Sequence, residues 1–233
     1  MKAAILDKLQ AARASKTPVA LATNLRSGQQ LLIYAGGTEG DLCLDMDMVV
    51  AAGDALKRDE HERFTTPAGE VFVQVFNPPP RLLVVGAVHI TEPLARMGTL
   101  AGYGVTVIDP RRGFAESQKF DGFTVMGDWP DEAMATLKPD SRTAVVTLTH
   151  DPKLDDPALA AALRSKAFYI GALGSRKTHA ARIGRLKEAG FSDTELQRIH
   201  GPVGLDIGAL SPAEIAVSIV GQITQVRRNG SAG

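Results

Sequence analysis

The chain has 233 residues, 44% of them hydrophobic and 22% charged, with 26 Lys and Arg against 26 Asp and Glu. That length carries a sizeable core as one large domain or two small ones, and a net charge of zero leaves no global field for nucleic acid or an anionic membrane surface. The lone cysteine, Cys43, excludes an internal disulfide and an all-cysteine metal site.

Residues 3–14 place Ile5, Leu6, Leu9 and Ala12 on one helical face. The opening MKAAILDKLQAARASK carries charges at helical intervals and lacks a long apolar core. It reads as neither signal peptide nor membrane span, and the expected compartment is the cytoplasm. Pro18–Thr23 and Leu31–Tyr34 flank the polar turn Arg26–Ser27–Gly28 and predict a hairpin. Gly36, Gly37 and Gly40 then predict an irregular stretch, and the run LCLDMDM reads Cys43 equally well as a buried small hydrophobe, so that no role as persulfide carrier or essential ligand is expected of it. A helix over 48–57 precedes strands around Phe64 and over Glu70–Phe76, joined through Pro67–Ala68–Gly69. Asn77–Pro78–Pro79–Pro80 can be neither helix nor central strand, which sets the expected domains at 1–77, a small α+β module, and 81–228.

From Arg81 the pattern alternates strand and helix. Leu82–Val85 is a continuous apolar run of the kind buried on both faces of a parallel sheet, and Gly86 turns the chain. Leu94, Met97, Leu100 and Ala101 give one apolar side of a helix that ends at Gly102 and Gly104. Val105–Ile108 is the second strand, and Asp109 follows it where a dinucleotide fold places an acid against a ribose hydroxyl. Further strands are expected at Phe123–Met126, Thr143–Thr149 and Phe168–Ile170, with helices opened by Asp128–Trp129–Pro130 and by Asp156–Pro157. Ser192 with Glu195 and Ser211 with Glu214 form capping boxes. Ile215, Ile219 and Ile223 stripe the last helix, whose Arg227, Arg228 and NGSAG tail should fray. The fold class is α/β, with a Rossmann-like parallel sheet in the carboxyl-terminal domain behind the small α+β amino-terminal one.

The G-x-G-x-x-G/A fingerprint falls on Gly86, Val88 and Thr91, so only its first glycine is present. Val88 stands where backbone must approach a pyrophosphate, which predicts the fold without tight NAD(P) binding.

Ligands of an open parallel sheet bind beyond the carboxyl ends of its strands. That rule nominates Gly86 and His89 after the first strand, Asp109 and Arg111 after the second, His150 and Asp151 after the fourth, and Gly174, Ser175, Arg176 and Lys177 after the fifth. In the last group a glycine turn, a hydroxyl and two cations lie where a helix begins, and free N–H groups with the helix dipole favour an anion there. The same four residues also read as an N-cap serine followed by two solvated cations. Gly204 and Asp206 belong to a loop of low polarity whose glycines allow close approach of backbone, either to a ligand or to a neighbouring strand. No nucleophile lies beside a base and no zinc-like spacing occurs, so no catalytic residue and no metal ligand is assigned.

The runs VVGAVHI, VIDPRRGF, VVTLTHD, YIGALGSRKTHAARIGRLKEAG and GPVGLDIGALSPAEIAVSI, in that order from Leu83 to Ile223, resemble the xanthine dehydrogenase accessory factor family, the XdhC/CoxI-type proteins. The resemblance implies a non-catalytic chaperone rather than an enzyme, acting in the maturation of molybdenum hydroxylases. It would bind molybdenum cofactor (molybdopterin) transiently on the residues nominated above, guard it during sulfuration and transfer it to the apo-enzyme. An apo molybdenum hydroxylase is then the client, a cysteine desulfurase a further partner, and a homodimer the assembly. Two features depart from the family pattern: Val88 replaces the glycine of its GAGH segment, and the amino-terminal half lacks the longer loops of fuller relatives. The residues leave two other functions open, an NAD(P)-dependent oxidoreductase and a non-catalytic nucleotide-sensing module.

Overall fold

The computed structural model describes residues 2–111 and 123–229. The chain divides into two compact units, Met1–Pro78 and Pro79–Gly233.

The first unit contains α1 (Ala3–Ala14), β1 (Val19–Asn24), β2 (Gln30–Tyr34), β3 (Gly37–Gly40), α2 (Met46–Arg58), β4 (Glu62–Thr66) and β5 (Gly69–Phe76). Its strands pair antiparallel in the order β3-β2-β1-β5-β4. Ala20 and Ala22 of β1 pack with Ala52, Ala55 and Leu56 of α2, whereas Val19 and Leu21 pack with Ile5, Leu9 and Ala12 of α1. Both faces of β1 are therefore covered, which is why its sequence shows no polar alternation. The glycine stretch expected to be irregular instead forms β3, an exposed edge strand. A Cβ on Gly40 would collide with the Gln30 carbonyl, so the pairing needs glycine there. Leu6 is exposed despite its helical spacing. Cys43 is exposed too, because Leu42 takes the buried position in the segment before α2.

The second unit runs β6 (Arg81–Val85), α3 (Thr91–Leu100), β7 (Gly104–Ile108), β8 (Thr124–Met126), α4 (Pro130–Leu137), β9 (Thr143–Thr147), α5 (Pro152–Arg164), β10 (Tyr169–Ala172), α6 (Arg176–Glu188), α7 (Asp193–Leu196), β11 (Ile199–His200) and α8 (Pro212–Asn229). The strands are parallel in the order β11-β10-β9-β6-β7-β8. This is the doubly wound arrangement, with its reversal between β6 and β9. Leu82 and Val84 pack toward α3 and α8, while Leu83 and Val85 pack toward α4, α5 and α6. Layers on both faces account for the unbroken apolar strands, and the fold is the α/β Rossmann type expected.

Several local expectations shift. The helix expected from Asp156–Pro157 opens earlier, at Pro152, because Asp151 supplies the cap that Asp156 does not: its carboxylate accepts the Lys153 N–H at 3.0 Å. Leu100 is exposed, since Leu94, Ala95 and Gly98 make the buried side of α3. A Cβ on Gly98 would collide with Leu82, so the close approach of α3 to β6 is made there rather than at Thr91. Both capping boxes form. Instead of fraying at Arg227, α8 continues to Asn229, and the Arg227 guanidinium lies 5.6 Å from the centre of the Tyr103 ring. The rest of the VIDPRRGF run, 112–114, and the tail, 230–233, lie outside the described residues.

Candidate functional site

The reversal of strand order places a crevice between the loops that follow β6 and β9. Gly86 adopts φ 106°, and a Cβ on it would collide with Thr149, so the two loops touch at this point. The amides of the first loop are already engaged. Ala87 N–H donates to Asp109 Oδ2 at 2.6 Å and Val88 N–H to Thr91 Oγ1 at 3.0 Å, while Thr91 Oγ1 donates to the Gly86 carbonyl at 2.5 Å. Asp109 has no exposed surface and also accepts from the amide, Nε and NH2 of Arg111, at 2.7–2.9 Å. Burial opposes its ionisation, but these hydrogen bonds outweigh burial and hold the carboxyl below the usual carboxylate range. Asp109 thus organises the protein's own loop.

On the β9 side a buried chain of polar groups follows. Thr149 Oγ1 donates to Asp155 Oδ1 at 2.6 Å, and Arg182 NH2 donates to Asp155 Oδ2 at 3.3 Å and to the Leu173 carbonyl at 2.8 Å. The Asp155 and Arg182 side chains are each only 2% exposed. Burial pushes the Asp155 carboxyl up to about 6, against the opposing pull of Thr149 and Arg182. Thr147 Oγ1, His179 Nδ1 and two Arg182 nitrogens, Nε and NH1, are buried without a hydrogen-bond partner among the described residues. Asp155 and Arg182 were not nominated from the sequence. The one signal was that Arg182 precedes Leu186 by four positions on the buried stripe of an otherwise polar helix.

Asp151 caps α5, and its charge, with that of Asp155, favours the ionised form of Arg111 behind the larger effect of Asp109. The crevice therefore gathers Gly86, Asp109, Arg111 and Asp151. His89 and His150 are exposed and make no hydrogen bond or ion pair among the described residues.

A separate cavity of about 380 Å³ opens beyond β10 and β11. Arg176, Gly204 and Asp206 line it together with Leu173, Val203 and Leu205. Gly204, at φ 97°, makes its close backbone approach to a helix and not to a neighbouring strand: a Cβ on it would collide with Ser218 of α8. Gln222 of the same helix grips both sides of this residue, accepting Gly204 N–H at 2.9 Å and donating to its carbonyl at 3.3 Å. Tyr169 Oη donates to the same Gln222 oxygen at 2.5 Å. At the other wall, Ser175 Oγ accepts the Thr178 N–H at 3.2 Å and so caps α6, while Arg176 and Lys177 are exposed at its first turn. Arg176 and Asp206 line one cavity, yet neither has an ion-pair partner among the described residues. Among those residues no group of three or more His, Cys, Asp or Glu side chains is placed to hold a metal, and no helix is long and apolar enough to cross a membrane.

The XdhC Rossmann domain family model matches residues 82–223. Molybdenum cofactor insertion chaperone PaoD of Escherichia coli K12 is 33% identical over 65% of this chain and 42% of its own length. A probable xanthine dehydrogenase subunit of Bacillus subtilis 168 is 32% identical over 68% of this chain and 46% of its own. The uncharacterized protein YqeB of Escherichia coli K12 is 29% identical over 71% of this chain and 31% of its own. The chain thus spans between about a third and a half of the length of these curated relatives. A crystal structure described as a xanthine dehydrogenase from Bacillus halodurans superposes on 97% of this chain and 67% of its own with a TM-score of 0.75, a likeness of fold at 23% identity.

Proposed function

Because the chain belongs to the XdhC Rossmann domain family, we propose that it is an accessory protein of molybdenum hydroxylases that carries molybdenum cofactor as cargo and inserts it into an apo-hydroxylase client. The observation that carries the reading is the cavity beyond β10 and β11, where Arg176 and Asp206 present opposite charges that no described residue neutralises. A molybdopterin offers a flat heterocycle and a phosphate, and a volume of about 380 Å³ lies within the range of small-molecule sites. Arg176, with Lys177 beside it at the start of α6, would take the phosphate through charge-assisted hydrogen bonds. The aliphatic walls would keep water from the ring. The same reading has the cargo held transiently and guarded during sulfuration, with a cysteine desulfurase as second partner and a homodimer as the assembly.

NAD(P) has no place in this reading. A pyrophosphate at the crevice would need the Ala87 and Val88 amides, which already bond to Asp109 and Thr91, and would meet the Val88 side chain.

The reading is tested by producing the chain in a cofactor-making strain, purifying it without oxygen, oxidising bound pterin to its fluorescent form and counting it per chain. Pterin should co-purify, and the loaded protein should activate an apo molybdenum hydroxylase. A folded chain that carries no pterin and activates no client overturns the function.

A further inference from the structure

We propose that Asp206 reads the 2-amino-4-oxopyrimidine edge of the cargo's pterin ring, while Arg176 holds its anionic tail. This rests on the cofactor reading above and deepens it.

The edge concerned presents two adjacent donors, the ring N3–H and the exocyclic 2-amino group. Two parallel acceptors answer it best, and a carboxylate has them in a fixed fork. Asp206 is an ionisable acid in the lining of the cavity, and no other described residue pairs with it. Arg176 lines the same cavity without forming an ion pair to Asp206. Two opposite charges that share a cavity without meeting suit a ligand with a donor edge and an anionic tail. The walls agree with a flat ring between them, being supplied by Leu173, Val203, Leu205 and Ile215. The acid is also mounted on a fixed backbone. Gln222 clamps Gly204 through both its N–H and its carbonyl, and Leu205 N–H bonds to the Ser218 carbonyl at 3.1 Å. The segment that carries Asp206 is thereby tied to α8 just before it enters the cavity, so orientation of the acid is arranged before the cargo arrives.

Guanine carries the same edge, so a guanine nucleotide is the other source of this chemistry. The full chain is titrated with 6-carboxypterin, with 6-carboxylumazine, in which the 2-amino donor is replaced by an oxygen, and with GMP. Wild type should prefer the pterin to the lumazine by about tenfold, the usual scale for a charge-assisted hydrogen bond. Asp206→Asn, checked for fold by circular dichroism, should abolish that preference. Arg176→Ala should weaken both ligands by a similar factor of about ten and leave their ratio unchanged. Equal affinity of wild type for pterin and lumazine, or a preference that survives Asp206→Asn, overturns the assignment of Asp206. Tighter binding of GMP than of the pterin overturns it as well, in favour of a nucleotide. Cofactor loading of the same preparations separates the two levels. If Asp206→Asn loads as wild type does, only the edge assignment fails; if wild type loads none, the chaperone reading falls with it.

Discussion

A pyrophosphate in the crevice would need the N–H groups of Ala87 and Val88 as donors. Both are committed, to Asp109 and to Thr91, so NAD and NADP should bind with dissociation constants above about 10 μM, which is weaker than about 7 kcal/mol. Calorimetric titration decides this, and a tighter constant would show that the loop rearranges. Gly86 and Asp109 were legible from sequence because a turn glycine after a strand and an acid after the next strand recur at a fixed spacing. The Asp155–Arg182 pair was not, because its members lie 27 residues apart and nothing local announces that a charge is buried. That pair has a consequence for pH. The Asp155 carboxyl titrates at about 6 when folded and near its ordinary 3.8 when unfolded, so the folded chain holds the proton more tightly. Its contribution to stability is fully present below about pH 4 and lost as the pH rises through about 6, amounting to roughly 2–3 kcal/mol. Denaturation of wild type and Asp155→Asn across that window should show wild type losing this much relative to the variant. A difference that does not change with pH would mean that Arg182 holds Asp155 ionised throughout.

At the scale of elements, the start of α6 sets two cations, Arg176 and Lys177, against the positive end of a helix dipole. Each costs the free helix about 0.3–1 kcal/mol, a sign that an anion reverses. The double change to Ala should leave thermal unfolding unchanged or slightly raised, while lowering the pterin recovered per chain by at least about tenfold. Undiminished loading in a folded double variant would move the anion elsewhere. The clamp on α8 gives a different signature. Gln222→Ala removes two hydrogen bonds to Gly204 and one from Tyr169, and should lower the unfolding free energy by about 2–3 kcal/mol in chemical denaturation. A loss below about 0.5 kcal/mol would show that Ser218, whose carbonyl accepts the Leu205 N–H, holds the loop without it. The alternation of strands and helices was readable because buried strands and amphipathic helices carry different periods. The opening of α5 was misplaced because two prolines compete for it, and only the Asp151 cap selects Pro152. In the same way, β3 was hidden by glycines whose role is to admit the Gln30 carbonyl of the adjacent strand.

The whole molecule has two compact units, each with its own buried clusters. Residues 79–233 produced alone should therefore unfold in a single cooperative transition and retain pterin, since the crevice and the cavity are both built from that unit. Loss of cooperative unfolding in the shortened chain would show that the two units depend on each other. The change of pattern at Asn77–Pro80 was plain in the sequence. That Arg176 and Asp206 share a cavity was not, because it depends on how α6 and the loop after β11 fold back over the strand ends. Among the described residues the parallel sheet ends on β8, with three paired residues, and on β11, with two. At about 3.3 Å per residue, each edge offers a stranger's strand no more than roughly 10 Å of backbone to pair with. Along these described edges a second copy would find little length over which to continue the sheet. Such short margins also leave little for strand-by-strand aggregation to start from.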